Sequence, residues 1–204
     1  NVRISNWNDV ITTVTFDKSF QLNGLKGIVF NVTDAFFDLS DYRNNPDIVY
    51  PQGYRQKYLQ EENLNTWRGI YVKNLSVSLP KAFKDKEREN ELVSFGVNDL
   101  LIDNNGISGL FYAQNILPVT RGNASGWKFS VDSMRLAIEA NHLLRAGFGG
   151  KIGLPVNNDY DTANKRKFLG YSAIITASAD YVCRVSTFES VDFDIWKAKV
   201  LLKP

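Results

Sequence analysis

The chain has 204 residues, a net charge of +2, one cysteine and one histidine. A chain of this length buries roughly 70% of its unfolded surface and needs no covalent staple. The lone cysteine excludes an internal disulfide or a thiolate-built zinc centre, and the lone histidine excludes any site needing two imidazoles. The near-neutral charge, without a basic stripe, points away from a nucleic-acid partner.

Aromatic residues are abundant, with 13 Phe, 9 Tyr and 4 Trp, and favour strands, where they pack well on a pleated surface. Residues 10 to 16 (VITTVTF) read as a first strand, and Asn23-Gly24 as a tight turn whose residues tolerate positive φ. A pattern then recurs four times: an alternating apolar run stops at a polar pair, shifts by one residue and resumes. The copies break at Thr33-Asp34 (between Val32 and Ala35), Lys73-Asn74 (between Val72 and Leu75), Asn98-Asp99 (between Val97 and Leu100) and Asp132-Ser133 (between Val131 and Met134). Strict alternation keeps one face inward, and a one-residue shift flips later side chains unless a bulge absorbs it. The polar pairs are therefore read as bulge positions.

Residues 40 to 67 interrupt this rhythm. They are polar, contain Pro46, Pro51 and Gly53, and carry Tyr42, Tyr50, Tyr54, Tyr58 and Trp67. A short helix is expected over residues 55 to 64. An insertion this long either serves a function or covers a sheet edge. The mixed-charge run from Lys81 to Glu91 reads as a solvated connection. Asp103-Asn104-Asn105-Gly106 and Ala140-Asn141-His142 read as hairpin turns with long arms. The return strands are expected to end at Leu117-Pro118 and Leu154-Pro155, as the second copy ends at Leu79-Pro80, because proline donates nothing to a ladder. Residues 133 to 146 contain good helix formers, but Met134, Leu136 and Ile138 continue the alternation and favour a strand. Residues 157 to 167 form a polar loop, and 168 to 185 and 191 to 202 supply two or three further strands. The chain thus reads as all-β: roughly ten to twelve mainly antiparallel strands in bulged hairpins, forming a twisted sheet, sandwich or open groove with one short helix.

The chemistry-bearing residues are few. His142, placed at a hairpin tip, is the sole histidine that a Ser-His-Asp triad would have to use. The glycines from Gly147 to Gly153 fail the dinucleotide and phosphate-loop patterns, and the alternation through Phe148, Gly150 and Ile152 sets them in a strand. Hydrolysis by paired carboxylates would draw on Asp38 with Asp41, Asp159 with Asp161, or Asp192 with Asp194. No cofactor is called for except calcium, for which Asp159 and Asp161, in Asn157-Asn158-Asp159-Tyr160-Asp161, offer oxygen ligands without full EF-hand spacing. Cys183 alternates with Tyr181 and Val185 and is expected to be a buried small apolar residue. Sequons at Asn31, Asn74 and Asn123 read as chance occurrences. Tyr42, Tyr50, Tyr54, Tyr58 and Trp67 are the candidate ligand-binding residues, since tyrosine offers a flat apolar face with a polar tip. Packing down as a lid over a sheet edge is the alternative role for them.

The segments WRGIYVKNLSVSLP at 67 to 80, LLIDNNGISGLF at 100 to 111, and GWKFSVDSMRLAIEANHLLRAGFGGKIGLP at 126 to 155 resemble β units of very large bacterial proteins. Their strand, turn and return-strand rhythm is similar to that of AsmA/TamB-like β-groove proteins of the bacterial envelope. The resemblance covers about residues 67 to 200. It implies part of a long β structure with an exposed apolar groove or stacked interface, and carries over no catalytic residues. Unequal repeat spacing and the Tyr-rich insertion depart from a smooth groove.

The expectation is a single β domain over 1–204, a module of a longer extracellular or envelope protein, structural or interacting rather than catalytic. Its partners would be adjoining modules, or a glycan or peptide. Carbohydrate binding through the Tyr-rich insertion is the alternative, and glycoside hydrolysis a third.

Overall fold

A computed structural model describes residues 8–59, 66–80, 92–154, 168–187, 190–195 and 198–204, with the backbone alone at 192–195. Nine strands form one antiparallel sheet in simple chain order: β1 (Ile11–Val14), β2 (Val29–Asp38), β3 (Gly69–Ser78), β4 (Ser94–Asp103), β5 (Gly106–Ala124), β6 (Trp127–Glu139), β7 (His142–Gly153), β8 (Leu169–Thr176) and β9 (Tyr181–Ser186). A separate hairpin pairs β10 (Val191–Ile195) with β11 (Ala198–Leu202). One short helix, α1 (Tyr54–Tyr58), lies in the Tyr-rich insertion. Residues 60 to 64 of the expected helix, the charged run at 81–91 and the loop at 157–167 lie outside the described residues.

The turns follow their sequences. Asn23-Gly24 closes a turn in which the Leu25 amide donates to the Leu22 carbonyl at 3.1 Å, with Gly24 at φ 89°. Ala140 and Asn141, at φ 46° and 66°, make the two-residue β6–β7 hairpin, whose double positive φ matches strand twist. This turn is clamped to its neighbour: the Ile107 amide donates to Asn141 Oδ1 at 2.9 Å, and the Ala140 amide to Ser108 Oγ at 2.8 Å. Gly106 has no room for a side chain, because a Cβ there would collide with the Asn141 amide.

Residues 133 to 146 are strand and turn, in keeping with the alternation. β5 departs from expectation. It does not stop at Leu117-Pro118 but runs to Ala124, with register shifts between Gln114 and Leu117 and between Leu117 and Gly122. A ladder with such irregularities has places where a missing N–H donor costs nothing, so Pro118 is tolerated there.

The polar breaks also differ from simple bulges. Across β2, β3 and β4 the register is unchanged on both sides: Val32 opposes Leu75 and Phe36 opposes Tyr71, while Asn74 opposes Asn98 and Val72 opposes Leu100. Asp34 and Asp99 instead adopt left-handed backbone, at φ 44° and 50°. A left-handed residue bends a strand, so β2 and β4 bend on one line, on either side of Lys73 in β3, rather than one strand gaining a residue on another. Asp is among the few non-glycine residues that visit this region readily. Register does shift from β4 to β5, between Asn98 and Leu101, and the break at Asp132 faces a shift in β5 containing Asn115 at φ 56°.

Candidate binding surfaces

Beyond that bend, the Tyr-rich insertion forms a second layer over one end of the sheet. Phe36, Tyr71 and Leu101 oppose one another across β2, β3 and β4, so they share a face. Ile48, Tyr54 and Trp67 close over them in one buried cluster, with Tyr50, Tyr58 and Leu59 packed at its margin. Each fully buried side chain of this size contributes about 1.5–3 kcal/mol.

Carboxylates fasten the layer. Tyr54 Oη and Trp67 Nε1 both donate to Asp103 Oδ2, at 2.7 and 2.6 Å, and Tyr71 Oη donates to Asp99 Oδ1 at 2.6 Å. Asp38, fully buried, accepts from the Asn45 amide at 2.9 Å and the Ser40 amide at 3.2 Å. Asn44 grips both polar groups of the Trp67 backbone, donating to its carbonyl at 2.6 Å and accepting from its amide at 3.1 Å. Lys57 reaches Glu139 at 2.7 Å. Burial and the facing carboxylates hold the Tyr54 and Tyr71 phenols well above the ordinary tyrosine range, and burial pushes Tyr50 up to about 12. The Arg55 guanidinium lies 4.5 Å from the centre of the Tyr50 ring.

The five aromatics singled out in the sequence therefore occupy unlike places. Tyr54 and Trp67 are buried and hydrogen-bonded, Tyr50 and Tyr58 are half-buried, and Tyr42 is 65% exposed. Tyr58 and Trp67 border a cleft of about 290 Å³ shared with Leu59, Arg68 and Asp103.

Of the candidate carboxylate pairs, Asp38 is enclosed by donors while Asp41 pairs with Arg68 at 2.8 Å. Asp159 and Asp161 lie outside the described residues, and Asp192 and Asp194 belong to β10. Asp103 through Gly106 form the β4–β5 turn, in which the Asn105 amide donates to Asp103 Oδ1 at 2.8 Å. His142 is exposed beside its turn. Cys183 is exposed, contrary to the burial expected from its alternation: β9 lies at the sheet edge and all six of its residues are exposed.

The rest of the sheet is a single layer among the described residues, and its two faces differ in chemistry. Val77, Phe95, Ala113, Met134, Phe148 and Ala173 oppose one another in succession from β3 to β8. Two residues along, Leu75, Val97, Phe111, Leu136, Ala146 and Ile175 do the same and so share that face. Phe95, Met134, Phe148 and Ile175 remain about two-fifths exposed.

The opposite face is mainly polar, with Leu110 and Ile174 exposed on it at 51% and 43%. Ser78, Ser94, Gln114, Ser133, Gly149 and Ser172 make one row, and Ser76, Gly96, Tyr112, Arg135, Gly147 and Ile174 the next. In a third, Asn74 donates to Asn98 at 2.6 Å, followed by Leu110, Ala137 and Arg145. These rows line an open trough of about 1050 Å³. The sequence alone does not disclose it, because alternation marks these residues only as the solvated side of each strand. Register is the signal that collects them, and register is set between strands.

Comparison of the chain with protein-family models, with curated proteins and with solved structures finds no match.

Proposed function

We propose that this chain is a non-catalytic interaction module that joins a larger β assembly through its uncovered apolar face and its β9 edge. The observation that carries this reading is the continuous apolar face from β3 to β8, left without a second layer among the described residues. An apolar face with exposed side chains on β4, β6, β7 and β8 is unusual for a free-standing domain and marks an interaction site. The β9 edge extends it: Tyr181 and Val185, on the same face as Ile175 and Ala173, are 81% and 55% exposed, and an edge strand presents unpaired backbone groups to a further strand. The partner is an adjoining β segment of the same parent protein, in an extracellular or envelope setting. The described carboxylates near the insertion are held by backbone and side-chain donors, which favours a structural role for them over paired acid–base chemistry.

The test is site-specific photo-crosslinking in the full parent protein. A photoreactive residue at Met134 or Val185 is expected to crosslink to neighbouring β segments, while one at His142, on an exposed turn, gives only background. Background crosslinking at all three positions would refute the proposal.

A further inference from the structure

The geometry points to a second ligand, on the face opposite the proposed assembly surface: an oligosaccharide bearing acidic groups, bound in the polar trough across β4 to β8. Arg135 and Arg145 carry the argument. Arg135 opposes Gly147, and Arg145 stands two residues from that glycine on the same strand, so the two cations are diagonal neighbours on one face. Diagonal pairs sit about 7–8 Å apart, within reach of long side chains meeting over a common point. Gly147 leaves the space between them clear, since the nearest atom to a Cβ there would be the Ala173 carbonyl oxygen at 3.6 Å.

Among the described residues, neither arginine makes an ion pair and no Asp or Glu lines the trough. Two guanidiniums side by side repel each other unless an anion lies between them, and the planar fork of arginine matches carboxylate and sulfate oxygens. A third cation, Arg184, opposes Ser172 on β9 at the trough's margin.

The remaining surface suits a sugar. Tyr112 opposes both Gly96 and Arg135. Its ring lies across Gly96, where a Cβ would collide with the phenol. The ring therefore reaches over β4, on the side of β5 away from the arginines, and offers an apolar face with a polar rim further along the trough. Ser94, Ser133, Ser172 and Gln114 supply hydroxyl and amide groups that both donate and accept, as sugar hydroxyls require. A trough of about 1050 Å³ is at the upper end of ordinary ligand sites and accommodates several sugar rings.

The experiment is titration calorimetry of the intact chain at low salt with three hexasaccharides: a sulfated heparin fragment, an oligogalacturonate and neutral maltohexaose. At least one acidic sugar is expected to bind about tenfold more tightly than the neutral one, because charge-assisted hydrogen bonds are roughly twice as strong as neutral ones. Preference for the heparin fragment identifies sulfate as the recognised group, and preference for galacturonate identifies carboxylate. Arg135→Gln and Arg145→Gln should each weaken that binding about tenfold, and Tyr112→Leu should weaken it while Tyr112→Phe retains it. Thermal melting of each variant separates lost binding from lost fold. The inference is overturned if no acidic sugar binds, if both arginine variants bind like the parent, or if an oligothymidylate of equal charge binds as tightly as the best sugar. Crosslinking at Met134 and Val185 reports on the other face and on the edge that continues it, so the two proposals fail independently.

Discussion

Asp103 is the residue whose removal most directly tests how the insertion is held. One of its oxygens receives both the Tyr54 hydroxyl and the Trp67 indole N–H, and these two side chains are 0% and 1% exposed. In Asp103→Ala both donors lose their acceptor while remaining buried. Leaving a buried donor unsatisfied costs about 1–3 kcal/mol, so the substitution should remove roughly 2–6 kcal/mol. At about 2–4 °C per kcal/mol for a chain of this size, the melting midpoint should fall by roughly 5–20 °C. Asp103→Asn keeps one oxygen acceptor and should lose less. Urea unfolding followed by far-UV circular dichroism measures the loss, and the Tyr54→Phe background supplies the control. With one donor already gone, Asp103→Ala should cost at least about 1 kcal/mol less than in the parent, as expected for contacting groups in a double-mutant cycle. A loss below about 0.5 kcal/mol in the parent, the range of an ordinary surface substitution, would refute the reasoning.

Three further outcomes are expected. In β7, Gly150→Ala should destabilise by roughly 1–3 kcal/mol through overpacking, since its Cβ would strike the Ser130 carbonyl, whereas Gly147→Ala, which meets only ordinary contacts, should change the urea midpoint by less than about 0.5 kcal/mol. Tyr50, Tyr54, Tyr71 and Tyr171 all have raised phenol pKa values, with Tyr50 pushed up to about 12. Their folded pKa values exceed the unfolded value near 10, so the linked stability is complete below pH 10 and is lost as pH rises through the folded values. Melting midpoints should drop from about pH 10 upward, and absorbance at 295 nm should show delayed ionisation that vanishes in denaturant. An unchanged midpoint up to pH 11.5 would count against the phenols' role. Amide hydrogen exchange should be fastest in β9, whose residues are all exposed, and slowest in β3 and β4 beneath the insertion, because local opening follows burial. Equal protection across the sheet would contradict this order.

Much of the sheet was legible in the sequence because the ladder is local. Each strand from β3 to β9 pairs with its chain neighbours, and the turns at Asn104-Asn105 and Ala140-Asn141 announce themselves by residue type. Pro118 misled because a proline forbids a donor, not a strand, and β5 places it among register shifts. Cys183 misled because alternation tells which residues share a face, not whether that face is covered. The polar breaks were recognisable as irregular, but the shared bend at Asp34 and Asp99 depends on register between strands far apart in sequence. Asp103, the acceptor that joins the insertion to the sheet, looked like a turn residue and nothing more. Its partners Tyr54 and Trp67 lie 49 and 36 residues away, and no local pattern connects them.

The bend ties the fold to the proposed functions. Phe36, Tyr71 and Leu101 on one side of it receive a covering layer from the chain's own insertion, while the apolar rows on the other side, from Val77 to Ala173, receive none among the described residues. A residue in left-handed backbone costs roughly 1–2 kcal/mol unless it is glycine. Asp99 offsets part of that cost by accepting the Tyr71 hydroxyl, so the bend and the anchored layer depend on each other. Among the described residues, one end of the sheet is stabilised internally and the sheet beyond it has no second layer. Proximity to a covering layer is available to Phe95 and Phe148 only from another segment, which is the physical basis for assigning the apolar face to assembly. The polar face needs no such cover. Its serines and amides are satisfied in water, and Arg135 and Arg145, which make no ion pair with the described residues, are what set it apart from a merely solvated surface.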